Sequence, residues 1–120
     1  MTSYLSLEDL LTLAGDLGVG PVRDLGLLDA AAHRPQVELY GEQAYPGLDT
    51  KAAVLLESVV RNHALVDGNK RLGWLATVVF YGLNDVTLDA PDDDAYELVM
   101  AVARSEARVE DIAATLGRWH

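Results

Sequence analysis

Two apolar helical patterns with one short polar run between them govern what this chain can fold into. Ala52, Leu55, Leu56 and Val59 recur with the period of one helix face. Leu72, Leu75, Ala76, Val79, Phe80 and Leu83 do the same further along. Between them stands His63-Ala64-Leu65-Val66-Asp67-Gly68-Asn69-Lys70-Arg71. The first pattern predicts a helix capped by Asp49, and His63 falls on the same apolar stripe, so it is expected to face the interior. The second predicts a helix opening at Asn69 or Lys70 and ending near Leu83. It is apolar nearly all round and is therefore expected to be the buried central helix. Gly73 permits close backbone approach, and Gly82 with Asn84-Asp85 supplies the stop.

The remaining elements are also helical. Ser6-Leu7-Glu8-Asp9 reads as an N-cap followed by an acidic first turn, and Leu7, Leu10, Leu11 and Ala14 carry the helix up to Gly15, Gly18, Gly20 and Pro21. A second helix is expected from Asp24 or Leu25 to His33, closed by Pro35, with His33 a last-turn residue favoured by the helix dipole. Asp92-Asp93-Asp94 reads as a capping, solvated cluster at the head of a helix carrying Ala95, Leu98, Val99 and Val102, because three adjacent carboxylates there cannot converge on one ion. Glu106 to Trp119 forms the last helix, and Val86–Leu88 reads as a short extended piece or half of a small hairpin. The segment from Gln36 to Leu48, with Tyr40, Gly41, Tyr45, Pro46 and Gly47, reads as a loop with one turn of helix at most. An all-α domain over residues 1–120 follows, of about six helices around a buried central one.

Composition agrees with that class. Half of the 120 residues are apolar and aromatics are few. The absence of Cys excludes a disulfide framework and thiolate chemistry. No basic-then-apolar leader opens the chain, and the longest apolar run, Leu75–Tyr81, is too short to span a bilayer, so a soluble cytoplasmic protein with no membrane contact is expected. A net charge of −10 argues against direct nucleic-acid binding. Yet Arg61, Lys70 and Arg71, three of the nine cations, lie close together in the chain. A positive focus on an acidic protein suits a small anionic ligand such as a nucleotide. A short loop opening a helix presents unpaired N–H groups at the positive end of the dipole, which is an anion site. With His63 beside it, the run has an anion cradle and a general base, the parts that phosphoryl or nucleotidyl transfer requires.

At these residues the chain resembles the Fic/Doc family. The family signature, His-x-Phe-x-(Asp/Glu)-(Gly/Ala)-Asn-(Gly/Lys)-Arg, fits everywhere except at Leu65, where Phe is usual. Lys70 in place of Gly is similar to the Doc branch, toxins of toxin–antitoxin pairs, and the chain's length also resembles that branch. The resemblance implies a Fic/Doc-like bundle in which Val37–Tyr45 is a small β-hairpin flap that lines up the target's backbone. An ordinary connection with buried tyrosines explains that segment equally well.

The chemistry needs a base, charge stabilisation on the moving phosphoryl group and, usually, Mg²⁺. His63 is the only histidine near the loop and is the candidate catalytic base, taking the proton of a protein Ser or Thr hydroxyl. The backbone N–H groups of Gly68, Asn69 and Lys70 would form the anion hole, and a side chain at Gly68 would obstruct phosphate. Asn69 would fix the loop or donate to phosphate. Arg71 offers a two-pronged donor and Lys70 a point charge. Asp67 is a hard oxygen ligand for Mg²⁺. By resemblance, Arg61 is a nucleotide contact, and Lys70 fills the space that adenylyl-transferring Fic enzymes leave beside the His, so that ATP binds inverted and presents its γ-phosphate.

The resemblance therefore implies a protein kinase that uses ATP and Mg²⁺, acts on elongation factor Tu and halts translation. None of the Ser or Thr residues has Glu four positions later, the mark of a built-in inhibitory helix, so inhibition is expected in trans from a Phd-like antitoxin. Its groove is expected along the first helix and the exposed side of the flap. Two other readings stay open. Gly68 leans toward the Fic pattern and hence toward an AMP transferase, while Leu65 and the acidic surface fit a catalytically weak antitoxin-binding or co-regulator module.

Overall fold

The computed structural model describes residues 1–120. Six helices follow one another: α1 (Leu7–Leu17), α2 (Leu25–His33), α3 (Leu48–Arg61), α4 (Asn69–Leu83), α5 (Asp92–Ala103) and α6 (Val109–Gly117). A single 3₁₀ turn, Arg34–Gln36, leads from α2 into a hairpin of two-residue strands, β1 (Glu38–Leu39) and β2 (Glu42–Gln43). The fold is all-α with a small flap.

Local chemistry explains the boundaries. Ser6 and Asp9 close a capping box at α1: the Asp9 N–H donates to Ser6 Oγ at 3.1 Å and the Ser6 N–H donates to Asp9 Oδ2 at 2.9 Å. Gly18 ends the helix in the left-handed conformation, φ +70°. Asp24 caps α2, accepting the Leu27 N–H at 3.1 Å. Asp92, Asp93 and Asp94 occupy the exposed first turn of α5, behind Pro91.

Several expectations need correction. Asp49 does not cap α3; Gly47 holds that position. The Asp49 carboxylate, on the second residue of the helix, instead accepts the Tyr81 hydroxyl at 2.6 Å and meets His120 Nε2 at 2.6 Å, tying α3 to α4 and to the last residue. Burial first, and then the Asp49 hydrogen bond and charge, push the Tyr81 phenol above its ordinary range. The most buried helix is α3, not α4. Lys51 through Leu56 are buried without a break, and α3 packs on α2, α4, α5 and α6. The outer face of α4 remains partly open at Trp74, Leu75 and Val78. Alanines 52 and 53 let neighbours close in on α3, and Gly73 does so from α4, where a Cβ would lie 2.7 Å from Val60 Cγ2. The last helix is shorter than its periodicity predicts, and of the two readings of Val86–Leu88 the hairpin is excluded, since it pairs with no strand; Val86 and Leu88 pack against the core.

The flap pairs only with itself. Glu38 lies opposite Gln43 and Leu39 opposite Glu42. Tyr40 and Gly41 turn with φ of +54° and +79°, the positive pair that matches strand twist in a two-residue hairpin. The Val37 carbonyl accepts the Ala44 N–H at 2.9 Å and closes the base.

Candidate functional site

The polar run forms the connection between α3 and α4. Helix α3 stops at Arg61, Asn62 holds a last helical conformation, and His63 turns left-handed with φ +53°. That reversal takes His63 off the apolar stripe and leaves it exposed, against the expectation that it faces inward. The residues after it are drawn into the protein: Ala64 and Leu65 are each only 2 % exposed. Leu65 thus occupies an apolar anchor position beneath the loop, in a bridge with Val22.

Asn69 sets the loop's shape. Its Oδ1 accepts the Leu65 N–H at 3.0 Å and its Nδ2 donates to the Leu65 carbonyl at 3.0 Å. The amide thus mimics a paired strand residue and satisfies both backbone groups of a buried position. Of the two roles expected for this side chain, fixing the loop is the one its contacts describe.

A second segment, Val19 to Asp24, braces the loop from outside. The Gly20 N–H donates to the Asp67 carbonyl at 3.1 Å, and the Val66 N–H donates to the Pro21 carbonyl at 2.9 Å. The Ala64 carbonyl accepts both the Arg23 N–H, at 2.7 Å, and the Asp24 N–H, at 3.0 Å. The Arg23 guanidinium donates to the His63 carbonyl. Sequence reasoning missed this brace, because Gly18, Gly20 and Pro21 register only as a helix stop. Arg23 carries no local signal at all; its partner is 40 positions away.

Gly68, at φ +92°, is the cap position of α4. The N–H groups of Gly68, Asn69 and Lys70 donate to no protein acceptor, and no side chain caps this helix. Three free donors at a helix N-terminus, with exposed Lys70 and Arg71 in its first turn, make a cradle that can hold a phosphate. Asp67 is exposed in the same loop. No three His, Cys, Asp or Glu side chains converge anywhere in the chain. A divalent ion bound at Asp67 would therefore draw its other ligands from phosphate oxygens and water, which is the usual setting of Mg²⁺ rather than of Ca²⁺ or Zn²⁺.

Arg61 stands at the end of α3, half-exposed, with Nη1 3.9 Å from Glu57 Oε2. The other Glu57 oxygen takes a tighter hydrogen bond, 2.7 Å, from Arg34. Arg34 also reaches Ser58 Oγ at 2.9 Å and lies 5.5 Å over the Tyr45 ring. Burial opposes the Arg34 charge, but the hydrogen bonds to Glu57 and Tyr45 outweigh it and hold the group more firmly protonated than usual. Beside the loop, between the end of α1, α4 and α5, opens a mostly apolar cleft of about 670 Å³. Lys70, Arg71 and Asp92 supply its charged groups, and Leu17, Trp74, Val99 and Met100 are among its walls. Of the groove walls expected for an antitoxin, α1 adds only Leu17 to this cleft and the flap adds nothing.

The Fic/DOC family model matches residues 4–81, from just before α1 into the last turns of α4. The chain belongs to the Fic/DOC family. The match takes in the brace, the flap, α3, the loop and most of α4. A protein named toxin Doc from Mycolicibacterium smegmatis (strain ATCC 700084 / mc(2)155) is 51% identical over 121 residues, covering 97% of this chain and 92% of that protein. This Fic/DOC chain has no helix long and apolar enough to cross a membrane.

Proposed function

We propose that this Fic/DOC protein is a Doc-like toxin that phosphorylates a hydroxyl of a cytoplasmic protein, with ATP as donor and elongation factor Tu as the leading target. The observation that carries the reading is Lys70 in the first turn of α4, beside three unsatisfied N–H groups. In adenylyl-transferring relatives of the Fic type a glycine stands there; a lysine fills the space beside His63 and favours the γ-phosphate in the cradle. The similarity to a protein named toxin Doc supports the same branch.

In this scheme the exposed imidazole of His63 takes the proton of a Ser or Thr hydroxyl as its oxygen attacks phosphorus, and ADP departs. The N–H groups of Gly68, Asn69 and Lys70, with Arg71, stabilise the charge on the transferring group. Arg61 contacts the nucleotide. Asp67 would hold Mg²⁺, which supplies charge neutralisation at the phosphates. Neutralisation comes from a Phd-like antitoxin segment that orders on binding. The cleft suits such a segment, because an apolar helix face ending in acidic residues would match its walls and its Lys70–Arg71 end, away from Asp92, and would cover the cradle.

The deciding experiment is the intact mass of elongation factor Tu after incubation with the protein, ATP and Mg²⁺, with His63→Ala in parallel. One added phosphoryl mass, absent with the variant, supports the kinase and its base. An added AMP mass transfers the assignment to the Fic-type reaction, toward which Gly68 leans. An unmodified factor removes elongation factor Tu as target and favours the antitoxin-binding module.

A further inference from the structure

One buried ionisable group plays no part in that scheme. Lys51 is 2 % exposed, at the head of the unbroken buried stretch of α3. Its Nζ donates to Gln43 Oε1 at 2.5 Å and to the Tyr45 carbonyl. Both acceptors are neutral, and both belong to the flap or its exit. The position is unfavourable for an amine on two counts. Burial penalises the charged form and lowers the Lys51 pKa. The first turns of a helix also repel a cation through the dipole. An apolar residue of the same length would fill the site without either cost.

The geometry points to Lys51 as the positioning residue of the flap: its amine ties β2 and the strand exit to the rigid α3, leaving the outer edge of β1 free and fixed in space. The inference rests on the proposed function only for what the flap presents to, a target backbone; the anchoring itself stands on the contacts. Little else fixes the hairpin. Its strands are two residues long and exposed throughout. An isolated hairpin of that length is not stable by itself. The second tie to its exit, Arg34 on Tyr45, holds a side chain rather than the strand: Nε lies 3.4 Å from the hydroxyl. Lys51 alone grips the strand side chain and the backbone together.

The test compares Lys51→Met, which keeps the stem and removes the donors, with Gln43→Leu and Gln43→Glu, and reads amide exchange across 37–45. Lys51→Met and Gln43→Leu should speed exchange of the Ala44 amide by roughly tenfold, the scale of one or two lost hydrogen bonds, while the melting temperature does not fall and the Leu65 amide stays unchanged. Gln43→Glu, which keeps the acceptor, should retain protection. Gln43→Leu leaves the core untouched and decides the matter if Lys51→Met does not fold. Unchanged Ala44 exchange in that variant overturns the anchor. Where transfer is measurable, Lys51→Met should raise KM for the protein target far more than it changes KM for ATP. Faster exchange with an unchanged target KM overturns the positioning role. Absence of any transfer tests the proposed function alone, since the exchange result does not depend on it.

Discussion

Val19 occupies the space that a side chain on Gly68 would need. A Cβ built on Gly68 would lie 2.4 Å from Val19 Cβ and 2.5 Å from Cγ1, and the backbone there has φ +92°. The glycine of the motif is thus required twice, by its conformation and by the branched side chain pressed against it. Gly68→Ala is expected to cost about 2–4 kcal/mol, combining a strained φ with overpacking. Val19→Gly, which removes the Cβ as well as the methyls, should restore part of that loss in the double variant, and urea unfolding of the four proteins measures the coupling.

Asn69 is expected to act on the loop more than on the ligand. Asn69→Ala leaves the N–H and carbonyl of buried Leu65 unpaired and should destabilise by about 1–3 kcal/mol. Asn69→Asp keeps an acceptor for the N–H and loses the donor, so its loss should be smaller at neutral pH. Equal losses in thermal melts would count against this account.

His63 should show function and stability pulling apart. Its φ of +53° is one that His tolerates and Gly prefers. His63→Gly is expected to abolish transfer while leaving the melting temperature unchanged or slightly higher. The measurement is a melt beside the mass assay; a large drop in melting temperature would mean the imidazole has a structural role.

Tyr81 gives the protein an alkaline weakness. Its folded pKa is raised, so the contribution is fully present below the unfolded value near 10 and is lost as pH climbs toward the folded one. Stability should fall with pH above about 10, and Tyr81→Phe should remove that part of the slope at the price of the Asp49 hydrogen bond. Chemical denaturation across that range reads both effects.

The helices were legible because their causes are local: Ser6 and Asp24 cap, Gly18 stops, and apolar residues recur at the helical period. The motif's cradle was legible for the same reason, since Gly68 and the residues after it form one continuous helix start. His63's orientation was not. The periodic stripe extrapolates past Arg61 only if the helix continues, and a single left-handed residue breaks the phase. The role of Asp49 was hidden by a better-placed glycine and by two partners, Tyr81 and His120, far away in the chain. Arg23, Val19 and Lys51 escaped notice because nothing in their neighbourhoods distinguishes them from surface or core residues; only the fold brings them to the loop and the flap.

The brace has a consequence for how the site comes into being. All its hydrogen bonds run from 20–24 to 63–67, and the exposed turn at Tyr40–Gly41 lies between the two stretches. A chain nicked at that turn would hold the signature motif and Asn69 on one fragment and the brace on the other. In such a split form the loop would take its shape only on reassociation, and under the proposed function transfer should be absent until the halves meet.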